Sequence, residues 1–243
     1  MNEADRQRAI LRRLARMEPA RRTGIPTGFT ALDNAVGAGG LPRGQVVEIF
    51  ASAGCGKTTL LLQIAAHVQR AQLTAVWIDA DHTFDPAWAA HLGVDPSRMP
   101  LAQPQSAEQA LEIARTLALS AAVDLIVVDS AAALVPSLEI SLGLGNAPDL
   151  HSRVMASGLR RLAQGMIRSD GCVVFLNQMR NREGGGETSA GGSPLKLHAG
   201  VRIMLARAGG GRVAIRIVKN KAAEGSGEGK LVWRVGAGFV ESP

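Results

Sequence analysis

Apolar residues along this chain follow two spacings in turn. Consecutive runs, "VVEIF" (46–50), "AVWIDA" (75–80), "LIVVDS" (125–130) and "CVVFLNQ" (172–178), are separated by stretches in which apolar residues recur every three or four positions. Runs that are apolar at successive positions predict strands buried on both faces, and their alternation with helices predicts a parallel sheet. The helical spacing predicts helices from about Lys57, near Pro86 to Leu92, over 106–121 and over 149–167. Beyond residue 200 the pattern changes, because "VRIMLAR", "RVAIRIVKN" and "KLVWRVG" have no helical stretch between them. These three are expected to form an antiparallel extension. Near the start, Ala4, Ile10, Leu11, Leu14 and Met17 suit a short amphipathic helix over 3–17, and "EPARRTGIPTG" breaks it. The chain therefore divides into an arm, residues 1–23, and one α/β core, residues 24–243.

Composition narrows the class of protein. The longest apolar runs reach about eight residues, well short of the roughly 20 that cross a bilayer, and the charged N-terminus lacks the apolar centre of a signal peptide. Two cysteines, Cys55 and Cys172, lie in different predicted elements and make no disulfide framework, so a reducing cytoplasm is expected. The net charge of +6 favours polyanionic partners without naming one. Positive charge is carried by 22 arginines and only five lysines, at 57, 196, 219, 221 and 230. Such a bias suggests that lysine is kept where a compact ammonium is needed.

The segment "ASAGCGKT" (51–58) follows a predicted strand and opens a predicted helix, the context in which a phosphate-binding loop is recognised. Ala51 stands where the simple pattern has glycine. Gly54 and Gly56 still let backbone N–H groups wrap a phosphate, across Ser52, Ala53 and Cys55 to Thr59 in the first turn of the helix. Lys57 would neutralise the β- and γ-phosphates and the Thr58 hydroxyl would bind Mg²⁺. Asp129, ending "LIVVD", falls at the carboxyl end of a central strand and would orient Mg²⁺ through water. "WIDADHTFDP" offers Asp79, Asp81 and Asp85 beyond another strand. They make either a capped turn before Pro86 or a group that activates water, and Asp81 is the best placed for the latter. Cys55 reads either as a small residue tolerated in a tight turn or as an oxidisable thiolate.

With those residues in place, the chain resembles the bacterial RecA recombinase family from about residue 24 to residue 240. The likeness rests on "GAGGLPRGQVVEIF", "IDADHTFDPAWAAHLGVD", "AVDLIVVDSAAALVP", "FLNQMRN" and "IVKNKAA", in that order. It implies a RecA-type phosphate-loop core that binds ATP between neighbouring subunits and couples it to single-stranded DNA. Under the resemblance Lys57, Thr58 and Asp129 contact phosphate and Mg²⁺, Trp88 lies against adenine, and Asp85 makes a polar contact to the base. Gln178 would sense the γ-phosphate, Lys219 and Lys221 would reach a neighbour's phosphates, and Lys196 would lie in the subunit contact.

Two segments match the family's DNA loops, "EISLGLGNAPD" (139–149) and "MRNREGGGETSAGG" (179–192). Arg180 and Arg182 with the glycines Gly191 and Gly192, and Arg153 on the following helix, are expected to suit contacts to backbone phosphates. Where the family has a catalytic glutamate this chain has Asp81, whose carboxylate is withdrawn by roughly 1.5 Å. Misplacement on that scale can cost about a hundredfold, so slow hydrolysis is expected. Compared with the family, the sequence to Pro243 is expected to lack the C-terminal domain of long members, and a shortened N-terminal segment is expected to weigh against long filaments. The resemblance implies a DNA-dependent ATPase of homologous recombination and repair that acts with itself and with other repair proteins. The alternative is a non-catalytic accessory protein of a damage-induced mutagenesis system.

Overall fold

The computed structural model describes residues 5–7, 23–143, 148–181, 187–190, 192–224 and 227–242. Residues 5–7 are helical, and the rest of the helix expected over 3–17 lies outside the described residues.

Helix α1 (Thr30–Val36) precedes β1 (Gln45–Ala51), α2 (Lys57–Arg70), β2 (Ala75–Asp79), α3 (Pro86–His91), β3 (Leu101–Ala102), α4 (Ala107–Leu119) and β4 (Leu125–Asp129). A short helix α5 (Ser137–Ser141) and a long α6 (Pro148–Met166) lead to β5 (Cys172–Asn181), β6 (Glu187–Ser189) and α7 (Ser193–His198). The chain closes with β7 (Val201–Arg207), β8 (Arg212–Asn220), β9 (Glu228–Arg234) and β10 (Gly238–Glu241). One sheet runs β10-β9-β8-β7-β1-β5-β4-β2-β3, with β6 paired to β5 alone.

The consecutive apolar runs are the central parallel strands: every residue of β2 and β4 is buried. Alternate residues of these strands feed two cores. One face packs α1 and α2 through Val47, Ile49, Trp77, Val127, Val174 and Leu176. The other packs α4 and α6 through Val46, Ile78, Val128, Val173 and Phe175. Gly158 lets α6 approach α4 closely, since a Cβ there would stand 2.5 Å from Leu111 Cδ1. The C-terminal extension is antiparallel, as its pattern predicts, with two additions. Strand β7 also pairs in parallel with β1, which joins the extension to the core, and β10 adds a further antiparallel strand.

That extra strand bears on the site. Gln63 of α2 accepts from Phe239 N at 2.8 Å and donates to the carbonyls of Ala237 and Phe239, so the β9–β10 hairpin is fastened to the helix that follows the phosphate loop. The buried Phe239 ring lies against Gly56 and meets Trp233 edge-on at 5.1 Å. Truncating Phe239 to alanine is expected to lower unfolding stability by about 3–5 kcal/mol, the range for loss of a buried aromatic. Urea denaturation followed by circular dichroism reads the loss, and a change under 1 kcal/mol would show that the hairpin is not anchored there.

Candidate functional site

The site forms where the parallel strands end. Strand β1 finishes at Ala51, and the chain turns through exposed Ser52, Ala53 and Gly54 and buried Cys55 before α2 starts at Lys57. Gly56, the residue before that helix, has φ +84°, and a Cβ there would stand 2.7 Å from the Phe239 ring. Both the left-handed backbone and the contact exclude a side chain. With no capping side chain, the first-turn N–H groups of α2 have no intrahelical partner and suit an anion.

Lys57 curls back over the loop and donates to the carbonyls of Ala51 and Ser52, each at 3.3 Å. Burial lowers its pKa, while the Cys55, Asp129 and Asp81 groups raise it. An ammonium partly stripped of water and held by carbonyls gains when an anion arrives. The Thr58 hydroxyl donates to Asp129 Oδ2 at 2.9 Å, which brings the two predicted magnesium contacts together. Asp129 ends β4, and burial pushes its carboxyl up to about 6. The Asp81 and Asp79 carboxylates add to that rise, against the Thr58 hydrogen bond and the Lys57 charge. Two hard oxygen donors suit Mg²⁺ held mainly by phosphate and water. Among the described residues no group of three or more His, Cys, Asp or Glu is arranged to hold an ion alone.

The three aspartates beyond β2 have separate roles. Asp79 is buried and accepts from Thr83 N, Phe84 N and Gln103 Nε2, so it holds the turn. Asp85 caps α3 by accepting from Ala87 N and Trp88 N. Asp81 is left facing the site. The Asp129 carbonyl accepts from Ala80 N and Asp81 N, and the Ser130 hydroxyl donates to the Asp81 carboxylate at 3.2 Å. The Asp129–Ser130 peptide is cis. Trp88 stacks on His91 at 5.1 Å, and its indole N–H reaches Thr59 Oγ1 at 3.4 Å, which places the ring beside the start of α2.

Strand register brings in Gln178, which lies opposite Ala51 across the β1–β5 pairing with its side chain exposed. The same registers keep Lys219 and Lys221 away. Lys219 is level with Arg202 and Glu48, and Lys221 donates its N–H to Gly200 O. Along the strands these lysines fall roughly 10 and 17 Å short of the phosphate loop. Lys219 Nζ instead donates to the carbonyls of Lys196 and Leu197 at the end of α7.

Of the residues predicted to meet DNA, Arg153 is exposed on α6 and Arg180 is exposed on β5, opposite Thr188 of β6. Gly192 precedes α7 with φ +74°. Arg182 and Gly191 lie outside the described residues.

Sequence reasoning missed Arg207, whose guanidinium donates to Gly54 O at 2.6 Å. Its only signal was an arginine ending the strand beside β1. It lines a cavity of about 310 Å³ with Gly54, Cys55, Arg212 and Trp233. Burial pushes the Cys55 thiol up, with Arg207 and Lys57 opposing. That direction disfavours an oxidisable thiolate and fits a small residue filling a turn.

A family model described as the RecA N-terminal domain matches residues 5–236. Protein RecA of Caulobacter vibrioides (strain NA1000 / CB15N) is 40% identical over 250 residues, which is 91% of this chain and 70% of that protein. Protein RecA of Clavibacter michiganensis subsp. michiganensis (strain NCPPB 382) is 43% identical, over 91% of this chain and 66% of its own. Protein RecA of Roseiflexus sp. (strain RS-1) is 45% identical, over 82% and 60%. A match that spans most of the chain, on a mostly parallel sheet with an antiparallel extension, means that the chain belongs to the RecA family.

Proposed function

We propose that this protein is an ATP-dependent, single-stranded-DNA-binding enzyme of homologous recombination and repair, with ATP bound between neighbouring copies of the chain. One observation carries the reading. Lys57, Thr58, Asp129, Asp81 and Gln178 gather around the end of β1, whereas Lys219 and Lys221 fall roughly 10 and 17 Å short of that end along the sheet. A γ-phosphate that needs both sets must lie between two copies, with the residue 1–23 arm as a further contact.

In this reading the first-turn N–H groups of α2 and Lys57 hold the phosphates. Mg²⁺, when bound beside Thr58 and Asp129, offsets phosphate charge. Asp81 orients water for in-line attack on the γ-phosphorus, and ADP departs as the P–O bond to its β-phosphate oxygen breaks. Gln178 contacts the γ-phosphate, and its strand leads directly into the predicted DNA segment with Arg180. The accessory-protein alternative is not favoured, because the phosphate loop, Asp129 and Gln178 are all in place and the relatives named above are 40–45% identical.

The test is ATP hydrolysis by the purified chain with and without oligo-dT. Stimulation by DNA supports the reading, and ATP binding without turnover under either condition removes the catalytic part. Asp81→Glu restores the longer carboxylate and is expected to raise kcat by up to about a hundredfold with little change in KM. Unchanged turnover would mean that Asp81 does not limit the rate.

A further inference from the structure

The mechanism above leaves unused a buried polar cluster directly behind the site. Glu48 is a fully buried carboxylate in β1, three residues before the phosphate loop begins. Its Oε1 accepts from Asn177 Nδ2 at 2.8 Å, and its Oε2 accepts from Arg202 Nε at 2.5 Å. Asn177 and Ser189 are buried too, and the Arg202 guanidinium stacks on the Phe50 ring at 4.7 Å.

Each arm of the cluster ends on the β5–β6 hairpin. Asn177 Nδ2 also donates to Ala190 O at 2.9 Å, and Asn177 Oδ1 accepts from Gln178 N at 2.9 Å. Arg202 Nη2 donates to Ser189 Oγ at 3.2 Å, and Ala190 N donates to Gln178 O at 2.7 Å. Both main-chain polar groups of Gln178 are therefore held, by Asn177 and Ala190, and Asn177 and Arg202, which contact the two stems of the hairpin, both bond one carboxylate on the strand that carries the phosphate loop.

A buried ion pair adds little stability over apolar residues of the same volume, so stability alone does not account for a charge here. A fully satisfied polar network does fix geometry. We propose that Glu48, Asn177, Arg202 and Ser189 are positioning residues that couple the nucleotide site to the predicted DNA segment. They keep the Gln178 backbone and both hairpin stems in one register with the phosphate loop, so a displacement of Gln178 reaches both stems together. The inference rests on the functional reading above for its ligands but not for its geometry.

The test pairs Ser189→Ala, which removes only the Arg202 contact, with the double variant Glu48→Met/Arg202→Met, which removes both charges together. Two readouts separate the claims. In nucleotide-free protein, amide exchange at Gln178 and Ala190 is expected to quicken at least tenfold in the double variant, while exchange in α4 and α6 stays the same. In the second readout, a non-hydrolysable ATP analogue tightens oligo-dT binding by the wild type. That tightening is expected to fall about tenfold in the double variant and partly in Ser189→Ala, with analogue affinity alone within about twofold of wild type. Unchanged exchange, or full tightening in a folded double variant, overturns the inference. If the wild type shows no tightening while exchange responds as expected, the functional reading fails and the clamp on the hairpin stands.

Discussion

Replacing Lys57 with alanine is expected to lower ATP turnover by about 10²–10³-fold while leaving the fold intact. The size follows from what the ammonium does. It lies over the phosphate loop, 3.3 Å from the Ala51 and Ser52 carbonyls, and burial already works against its charge. Removing one positioned donor from a reacting oxyanion in a site with little water costs on that scale. The ligand-free protein has no reason to unfold, because the lost contacts are two long hydrogen bonds at a partly exposed group. Thermal midpoints should therefore match, and oligo-dT binding without nucleotide should persist. Lys57→Arg is not expected to rescue turnover, since a planar fork cannot replace a compact ammonium in a loop closed by Gly56. Turnover within threefold of wild type in Lys57→Ala would mean that phosphate is held elsewhere.

The parts of the fold that could be read from sequence are those whose physics is local. Five consecutive buried residues in β2 and in β4, the prolines that open α3 and α6, and the Ser106 cap of α4 all leave a mark within a few positions. So does the phosphate loop, where glycine backbone freedom and a helix start coincide. Elements that depend on distant partners left no such mark. Strand β3 has two residues and exists only as an edge partner of β2, and β10 is four residues held by Gln63 from 176 positions away. Helix α7 is a six-residue helix before β7, on which Lys219 closes from β8.

The same division runs through the candidate site. Lys57, Thr58 and Asp129 were legible because each sits at a fixed offset from a strand end, and the contact between Thr58 and Asp129 follows. The aspartates beyond β2 could not be sorted from sequence, because a cap and a catalytic carboxylate look alike until their N–H partners are known. Asp79 and Asp85 accept from backbone N–H groups, whereas the Asp81 carboxylate accepts from the Ser130 hydroxyl. Arg207 and the Glu48 cluster depend on β7 lying beside β1, a pairing between residues more than 150 positions apart.

Asp129→Asn is expected to stabilise the ligand-free protein at pH 7 by about 2–3 kcal/mol while removing ATP turnover in the presence of Mg²⁺. In the folded chain the Asp129 carboxyl is pushed up to about 6, first by burial and then by its Asp81 and Asp79 neighbours. Unfolded, it titrates near 3.9. A carboxyl whose folded pKa is raised contributes stability that is complete below the unfolded value and is lost as pH rises through the folded one. A shift of about two units amounts to roughly 3 kcal/mol at pH 7, with no reduction for exposure because the group is almost wholly buried. Asparagine removes the charge and still accepts the Thr58 hydroxyl. Urea midpoints measured without nucleotide or metal should therefore nearly coincide at pH 4 and diverge mainly between pH 4 and 6, with the variant the more stable. Nucleotide with Mg²⁺ is expected to reverse the order, because the cation favours the wild-type carboxylate and the bound complex stabilises only the folded state. If wild type gained stability from pH 4 to 7 and Asp129→Asn lost that gain, the carboxylate would be favourably ionised in the empty site. The strain that a bound cation relieves would then not exist.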